Sequence, residues 1–220
     1  MHQLQRHILS RLINLGSCRY RDLKPKEVDG NLFTYHLKQL LEAQLVERSA
    51  NTYKLSASGL RYVDRLSLSD LKERIQPKIV SLIAVRNRRG DWLLYKRGRQ
   101  PFKGMVGFPY GKTHLGETVL EAAKRELWEK TGLEADLTHR GDAYVTVTRD
   151  EELVSVMLAH VFAGKNPRGS LKTNSSIGNC FWAKIVKPDA KVFFPGFADI
   201  FQLLAKKTKG RFFTELFYQL

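Results

Sequence analysis

Glu126 and Glu129 stand in the run Arg125-Glu126-Leu127-Trp128-Glu129-Lys130, with Glu117 a short distance upstream. On a helix, residues three apart share a face, so the two later carboxylates would project together. Carboxylates grouped on a rigid helix, with Glu117 at its start, suit a hard divalent cation such as Mg2+ or Mn2+. Such an ion would clamp a diphosphate, polarise its phosphorus and lower the pKa of an attacking water. Glu126 and Glu129 are therefore the candidate catalytic and metal-ligating residues.

These residues need a helix to hold them and strands to seat that helix. The pattern predicts a helix from about Thr118 to Thr131, stopped by Gly132, with Leu120, Ala123 and Leu127 facing inward. Upstream, Ile79-Val80-Ser81-Leu82-Ile83-Ala84-Val85 and Trp92-Leu93-Leu94-Tyr95-Lys96 flank the turn residues Arg89-Gly90-Asp91 and read as a strand pair. Arg97, Arg99 and Lys112 lie between that pair and the helix, placed to neutralise phosphates. Gly111-Lys112-Thr113 imitates the end of a phosphate-binding Walker loop, but Val106 stands where that motif demands glycine, so the reading fails. Downstream, Ala143–Thr148 and Leu153–Phe162 read as a hairpin around Asp150-Glu151-Glu152. A polar, basic loop is expected from Gly164 to Ser176 and a strand over Cys180–Ile185. Phe197, Ile200, Phe201 and Leu204 mark a helix, and Phe212, Phe213, Leu216, Phe217 and Leu220 predict a last one.

The stretch from Gly111 through Glu117 and Arg125-Glu126 to Gly132-Leu133 resembles the Nudix box, G-x5-E-x7-R-E-U-x-E-E-x-G-U with U a bulky apolar residue. The resemblance implies an α/β/α sandwich with a mixed sheet. It implies that the box glutamates ligate metal, that the one at Glu126 sometimes serves as base, and that Arg125 holds the loop through Glu117. Gly111, Glu117, Arg125 and Gly132 form the structural frame of such a box, and the backbone carbonyl at Tyr110 often completes the metal shell. One position departs: Lys130 replaces the second glutamate of the E-E pair, a principal ligand in the family. Exchanging −1 for +1 beside a metal costs on the order of several kcal/mol of metal affinity. Lys130 is therefore also a candidate phosphate contact. Two outcomes would spare the metal site or replace it. In one, Lys130 swings outward and Asp150-Glu151-Glu152 supplies a ligand; in the other, the domain binds a nucleotide without cutting it.

Residues 1–70 form a separate expected domain, 71–77 a linker and 78–220 the Nudix domain, an α/β two-domain organisation. Leu4, Ile8, Leu9, Leu12 and Ile13 recur at helical spacing, and a short helix over Tyr20–Leu23 should stop before Pro25. Asp29 offers an N-cap for a helix over Asn31–Ala43. Leu45–Arg48 and Thr52–Leu55 read as a hairpin, and Ser56 as the cap of a helix carrying Leu60, Val63 and Leu66. Phe33-Thr34-Tyr35-His36-Leu37-Lys38-Gln39-Leu40-Leu41 and Tyr53-Lys54-Leu55-Ser56-Ala57-Ser58-Gly59 resemble winged helix-turn-helix regulators of the arsenic-repressor type. That resemblance implies DNA contacts from Asn31, Thr34, Tyr35 and Lys38 in the groove and from Arg48, Asn51 and Lys54 on the wing. The joint, Ser67 to Lys78, is polar and holds Pro77, with a helical turn expected at Asp70–Arg74.

A net charge of +15 favours polyanionic partners. Residues 1–77 carry 13 basic against 8 acidic residues and residues 78–220 carry 24 against 14, so no basic tail accounts for it. DNA, a nucleotide-type small molecule and, from the basic second domain, RNA are the partner classes, and a homodimer is expected. No 18-residue apolar run marks a membrane span. Two unpaired-looking cysteines, Cys18 and Cys180, point to a reducing, cytoplasmic setting, and they form no C-x-x-C pair. Two functions compete: a regulator sensing an ADP-ribose-like nucleoside diphosphate derivative with weak or no hydrolysis, and a metal-dependent Nudix hydrolase.

Overall fold

The computed structural model describes residues 1–67, 71–175, 178–206 and 210–220. The chain divides into two compact units, Met1–Gln76 and Pro77–Leu220. The first contains α1 (Gln3–Leu15), β1 (Ser17–Arg19), α2 (Tyr20–Leu23), α3 (Gly30–Glu42), β2 (Val46–Ser49), β3 (Thr52–Leu55) and α4 (Ala57–Val63). Its three strands form an antiparallel sheet in the order β1-β3-β2. Ile8, Leu9 and Leu12 of α1 bury against Phe33, Leu37 and Leu40 of α3, the outcome their helical spacing dictates. Asp29 caps α3 by accepting from the backbone N–H groups of Asn31 and Leu32 at 2.9 and 3.0 Å.

Three features of this unit depart from what its sequence predicts. Ser17-Cys18-Arg19 adds a strand, too short to show an alternation beyond the buried Cys18. On α4, Leu60 is 58% exposed, while Gly59 is buried. A Cβ at Gly59 would lie 1.8 Å from the Leu45 carbonyl oxygen, so this helix approaches its neighbour through bare backbone. At the joint, Asp70 lies outside the described residues. Leu71–Arg74 are not helical; Glu73 instead bridges to Leu66.

The second unit contains β4 (Lys78–Val85), β5 (Trp92–Arg97), β6 (Val106–Gly107), β7 (Tyr110–Lys112) and α5 (Val119–Thr131). The long hairpin β8 (Leu133–Arg149) and β9 (Glu152–Gly169) follows, then β10 (Asn174–Ser175), β11 (Gly178–Ala183), α6 (Phe197–Ala205) and β12 (Phe212–Gln219). A five-stranded mixed sheet runs β12-β8-β9-β4-β7, and a four-stranded sheet runs β10-β11-β5-β6. The mixture is explicit: β12 with β8 and β9 with β4 are parallel, while β8 with β9 and β4 with β7 are antiparallel.

Alternation divides the core. Ile83 and Val85 of β4 pack with Ala123 and Leu127 of α5, whereas Ala84 packs with Phe197 and Ile200 of α6. On α5 the inward residue at the first turn is Val119, and Leu120 is 38% exposed, contrary to the expected stripe. Thr118 and Glu121 form a capping box at the start of α5, and Gly132 closes it in the left-handed conformation, φ 68°.

The expected last helix is a strand. Phe212, Thr214, Leu216 and Tyr218 of β12 point inward and Phe213, Glu215, Phe217 and Gln219 outward, with β12 pairing alongside β8. The apolar residues at 212, 213, 216 and 217 satisfy both periods, and the available edge of β8 decides for period two. Likewise β9 continues to Gly169 through part of the expected basic loop.

Candidate functional site

Arg125 is the hub of the α5 site. Its Nε and Nη2 donate to Glu117 at 3.0 and 2.7 Å, and Nη1 donates to Glu126 at 2.9 Å and Glu129 at 3.2 Å. Nη2 also donates to the Lys112 carbonyl at 3.0 Å, tying β7 to the helix. Glu117 additionally accepts from the His114 backbone N–H, which closes the loop before α5. Gly111 is required here by contact, since a Cβ on it would lie 1.7 Å from Glu126 Cδ. The Glu126 carboxyl therefore lies flat against the β7 backbone.

Arg125 and the His114 N–H hold the Glu117 carboxyl down at about 2, from an ordinary 4.5. A depressed carboxyl stabilises the fold above its unfolded value, and that contribution is lost as pH falls toward the folded value. Acid unfolding of the second unit is thus expected to gain a component between about pH 4.5 and pH 2. Glu117→Gln should flatten the stability profile in that window, as read by denaturant melts across pH; an unchanged slope would count against the assignment.

Lys130 does not swing outward. Its Nζ lies 3.0 Å from Glu126 Oε2, with only 14% and 8% of the two side chains exposed. It also lies 5.9 Å from the Tyr95 ring centroid. Both oxygens of Glu126 are thus engaged by cations, Oε1 by Arg125 and Oε2 by Lys130. Glu129 is the exposed member, 55% open and paired to Arg125. This donor set does not fit a divalent cation: the most buried carboxylate is neutralised on both sides, and the fixed ammonium would repel the ion. The Asp150-Glu151-Glu152 turn makes no described ion pair with this cluster.

Lys130 and Glu126 face a cavity of about 480 Å3. Its polar lining is cationic, with Lys78, Arg97, Arg99, Lys112 and Lys130 against a single acid, Glu126. Phe108, Tyr110, Phe194 and Phe197 supply aromatic walls. Burial and the neighbouring charges of Lys112 and Arg97 push the Lys78 ammonium below its usual range. Burial, the larger cause, disfavours charge of either sign; the positive field of Lys112 and Arg97, the smaller one, is what favours an anion here.

The predicted positions separate into groups. Lys112, Lys130, Arg97, Arg99, Tyr110 and Glu126 line the cavity together. Within that set Arg97 is committed to the protein: it donates to the Tyr110 hydroxyl at 2.8 Å and to the carbonyls of Arg99, Gln100 and Pro101. Its geometry is that of a residue shaping the loop, with Arg99 and Lys112 exposed beside it. Burial raises the Tyr110 phenol, and its ring meets Phe194 edge-on at 5.9 Å. Lys78, the last residue of the expected joint, and the wall at Phe194 and Phe197 join the site without being among its predicted residues. Lys78 opens β4, and its alternation with Val80 and Leu82 toward the cavity was the available signal.

In the first unit, Asn31, Thr34, Tyr35 and Lys38 share the exposed side of α3, and Arg48, Asn51 and Lys54 are exposed around the β2–β3 hairpin. Lys38 pairs with Glu42 at 3.7 Å and Lys54 with Glu47 at 3.1 Å, solvated pairs that hold neither lysine firmly. Thr34 shares a 2.9 Å hydrogen bond with Tyr20. His36 is buried and stacks on His2 with ring centroids 3.9 Å apart.

Residues 76–194 match the NUDIX domain family. A curated relative, an ADP-ribose pyrophosphatase of Methanocaldococcus jannaschii, is 36% identical over 89 residues, 39% of this chain and 52% of its own length. The chain thus spans about half the length of that relative. Among solved structures, a MutT protein from Bacillus halodurans matches with TM-score 0.53 at 22% identity, covering 64% of this chain and 90% of its own, a likeness of fold. No described helix is long and apolar enough to cross a membrane. Nudix hydrolases as a family use divalent metals, which makes the lysine at position 130 the notable departure. A family match that begins just before β4, passes through α5 and ends at the Phe194 wall covers more than half of the chain, and it makes this protein a member of the NUDIX domain family.

Proposed function

We propose that the chain is a DNA-binding regulator whose Nudix domain senses a nucleoside diphosphate derivative of the ADP-ribose type and hydrolyses it weakly or not at all. The observation that carries the reading is the 3.0 Å ion pair between Lys130 and Glu126. A lysine at that point supplies the positive charge that a metal would bring to a diphosphate, and it occupies the carboxylate that the metal would need. Lys78, Arg99 and Lys112 add to it, and the aromatic walls suit a base or ribose. The name of the Methanocaldococcus jannaschii relative supports ADP-ribose as the first ligand to try.

The regulator half rests on the resemblance of the first unit to winged-helix proteins and on the exposed row Asn31, Thr34, Tyr35 and Lys38. In this reading α3 enters the major groove and the β2–β3 hairpin touches the backbone. A homodimer would present two such helices to a palindromic site, in a cytoplasmic setting. Control requires that the ligand bind the DNA-competent and incompetent states differently.

The test is paired. ADP-ribose is expected to bind the purified chain in the presence of EDTA, and to change a salt-sensitive gel shift on DNA from the chain's own upstream region. Lys38→Ala should weaken the shift and leave ADP-ribose affinity unchanged. Absence of any DNA preference sinks the regulator; ADP-ribose binding that appears only with magnesium sinks metal-free sensing. The alternative, an active Mg2+- or Mn2+-dependent hydrolase, is favoured by that relative's name and by the exposed Glu129, the carboxylate open to an incoming ion. RNA in place of DNA is a third outcome, read by competition in the same gel.

A further inference from the structure

Away from the α5 site, His139, Asp142 and His160 bring three potential ligand atoms within 4.8 Å of one another. Asp142 Oδ1 lies 2.9 Å from His139 Nε2 and 2.7 Å from His160 Nδ1. All three side chains are partly buried, at 19%, 33% and 19% exposure, so the group is reachable from solvent but held.

Its construction is unusual for a strand. Residues three apart on a regular strand point to opposite faces, so His139 and Asp142 should not meet. The β8–β9 pairing shifts register between His139 and Gly141, and this irregularity turns His139 onto the face of Asp142. His160 completes the set from β9, directly opposite Asp142 in the ladder. Phe162, opposite His139, packs against its ring at 5.2 Å and limits its rotation.

We propose that His139, Asp142 and His160 form a second, transition-metal site of the two-histidine, one-carboxylate kind, with zinc as the probe ion. Two neutral imidazoles and one carboxylate are a borderline donor set, leaving one net positive charge and an open fourth position for water on Zn2+. Binding replaces the two hydrogen bonds to Asp142: each imidazole carries its proton on the nitrogen away from the ion and gives the inner lone pair to it. The ion would cross-link β8 to β9 at the register shift, so its role is to fix the long hairpin. It uses none of the α5 carboxylates and is independent of whether the Nudix site hydrolyses.

The experiment uses the full chain, stripped with EDTA and dialysed. Titration calorimetry with zinc chloride should show one site per chain, and zinc should raise the melting temperature. Cobalt(II) should give the intense visible bands of a four-coordinate nitrogen and oxygen site. His160→Ala and Asp142→Asn should each weaken zinc at least tenfold and abolish the thermal shift, while Glu126→Gln leaves both unchanged. Loss of zinc in Glu126→Gln would move the ion to the α5 site and overturn the proposal. Retention in both hairpin variants, or an octahedral cobalt spectrum in the unsubstituted chain, would overturn it without reliance on the variants' folding.

Discussion

A chain carrying Lys130→Glu is expected to bind Mg2+ about 100-fold more tightly than the parent and to gain magnesium-dependent hydrolysis of ADP-ribose. The substitution removes the ammonium 3.0 Å from Glu126 and supplies the carboxylate that the box otherwise lacks. Glu126 Oε2 is then released for coordination, and Arg125 continues to hold Oε1 and orient the group. A factor of 100 corresponds to about 2.7 kcal/mol, a modest part of what a two-unit charge change beside a divalent ion provides after solvent screening. The measurements are magnesium titration and product formation by chromatography, with ADP-ribose affinity in EDTA as the control. That metal-free affinity should fall in the variant, because the same lysine is proposed to face the diphosphate. If the parent already turns over rapidly with magnesium and the variant gains nothing, the chain is a hydrolase and the sensor reading fails.

Arg125→Ala is expected to destabilise the second unit by about 2 kcal/mol, less than the cost of breaking a fully buried ion pair because Arg125 is 22% exposed. One guanidinium satisfies three carboxylates and the Lys112 carbonyl, so its loss leaves the half-buried Glu117 and buried Glu126 short of a partner together. For a unit of this size, that is about 4–8 °C in melting temperature. Arg125→Lys should recover only part, since a single ammonium cannot reproduce the forked contacts to Glu117 and Glu126. Ligand binding should also weaken, because β7 and α5 are tied through the Lys112 carbonyl and both border the cavity. A variant that melts with the parent would show the network to be a solvated cluster of small net effect.

Element by element, the chain announced its local structure wherever periodicity and capping agreed. Asp29, Thr118 and Gly132 mark helix ends in the sequence and occupy those positions in the fold. Reading failed where two periods fitted the same residues. Phe212, Phe213, Leu216 and Phe217 suit a helix face as well as an alternating strand, and only the free edge of β8 makes them a strand. It failed also at α4, where Gly59 and not Leu60 makes the approach. Close contact by backbone leaves no apolar signal to read.

The box residues were legible for a physical reason: a helix fixes the relative positions of Glu126, Glu129 and Lys130 within two turns, so spacing predicts which of them are within reach of one another. What those residues do to one another depended on the tertiary structure. Spacing permits Lys130 to pair with Glu126 or to point into solvent, and the Tyr95 side chain and the cavity wall keep it inward. Lys78, Phe194 and Phe197 are far from the box in sequence and join it only because β4, the segment before α6 and the first turn of α6 flank the same cavity. His139 and His160 meet across Asp142 only because of a register shift, which nothing in their spacing encodes. Family, helix and the lysine that interrupts its carboxylates are all written in the chain. That this lysine is buried against Glu126 is a product of folding, because burial and pairing follow from which distant strands close around the helix.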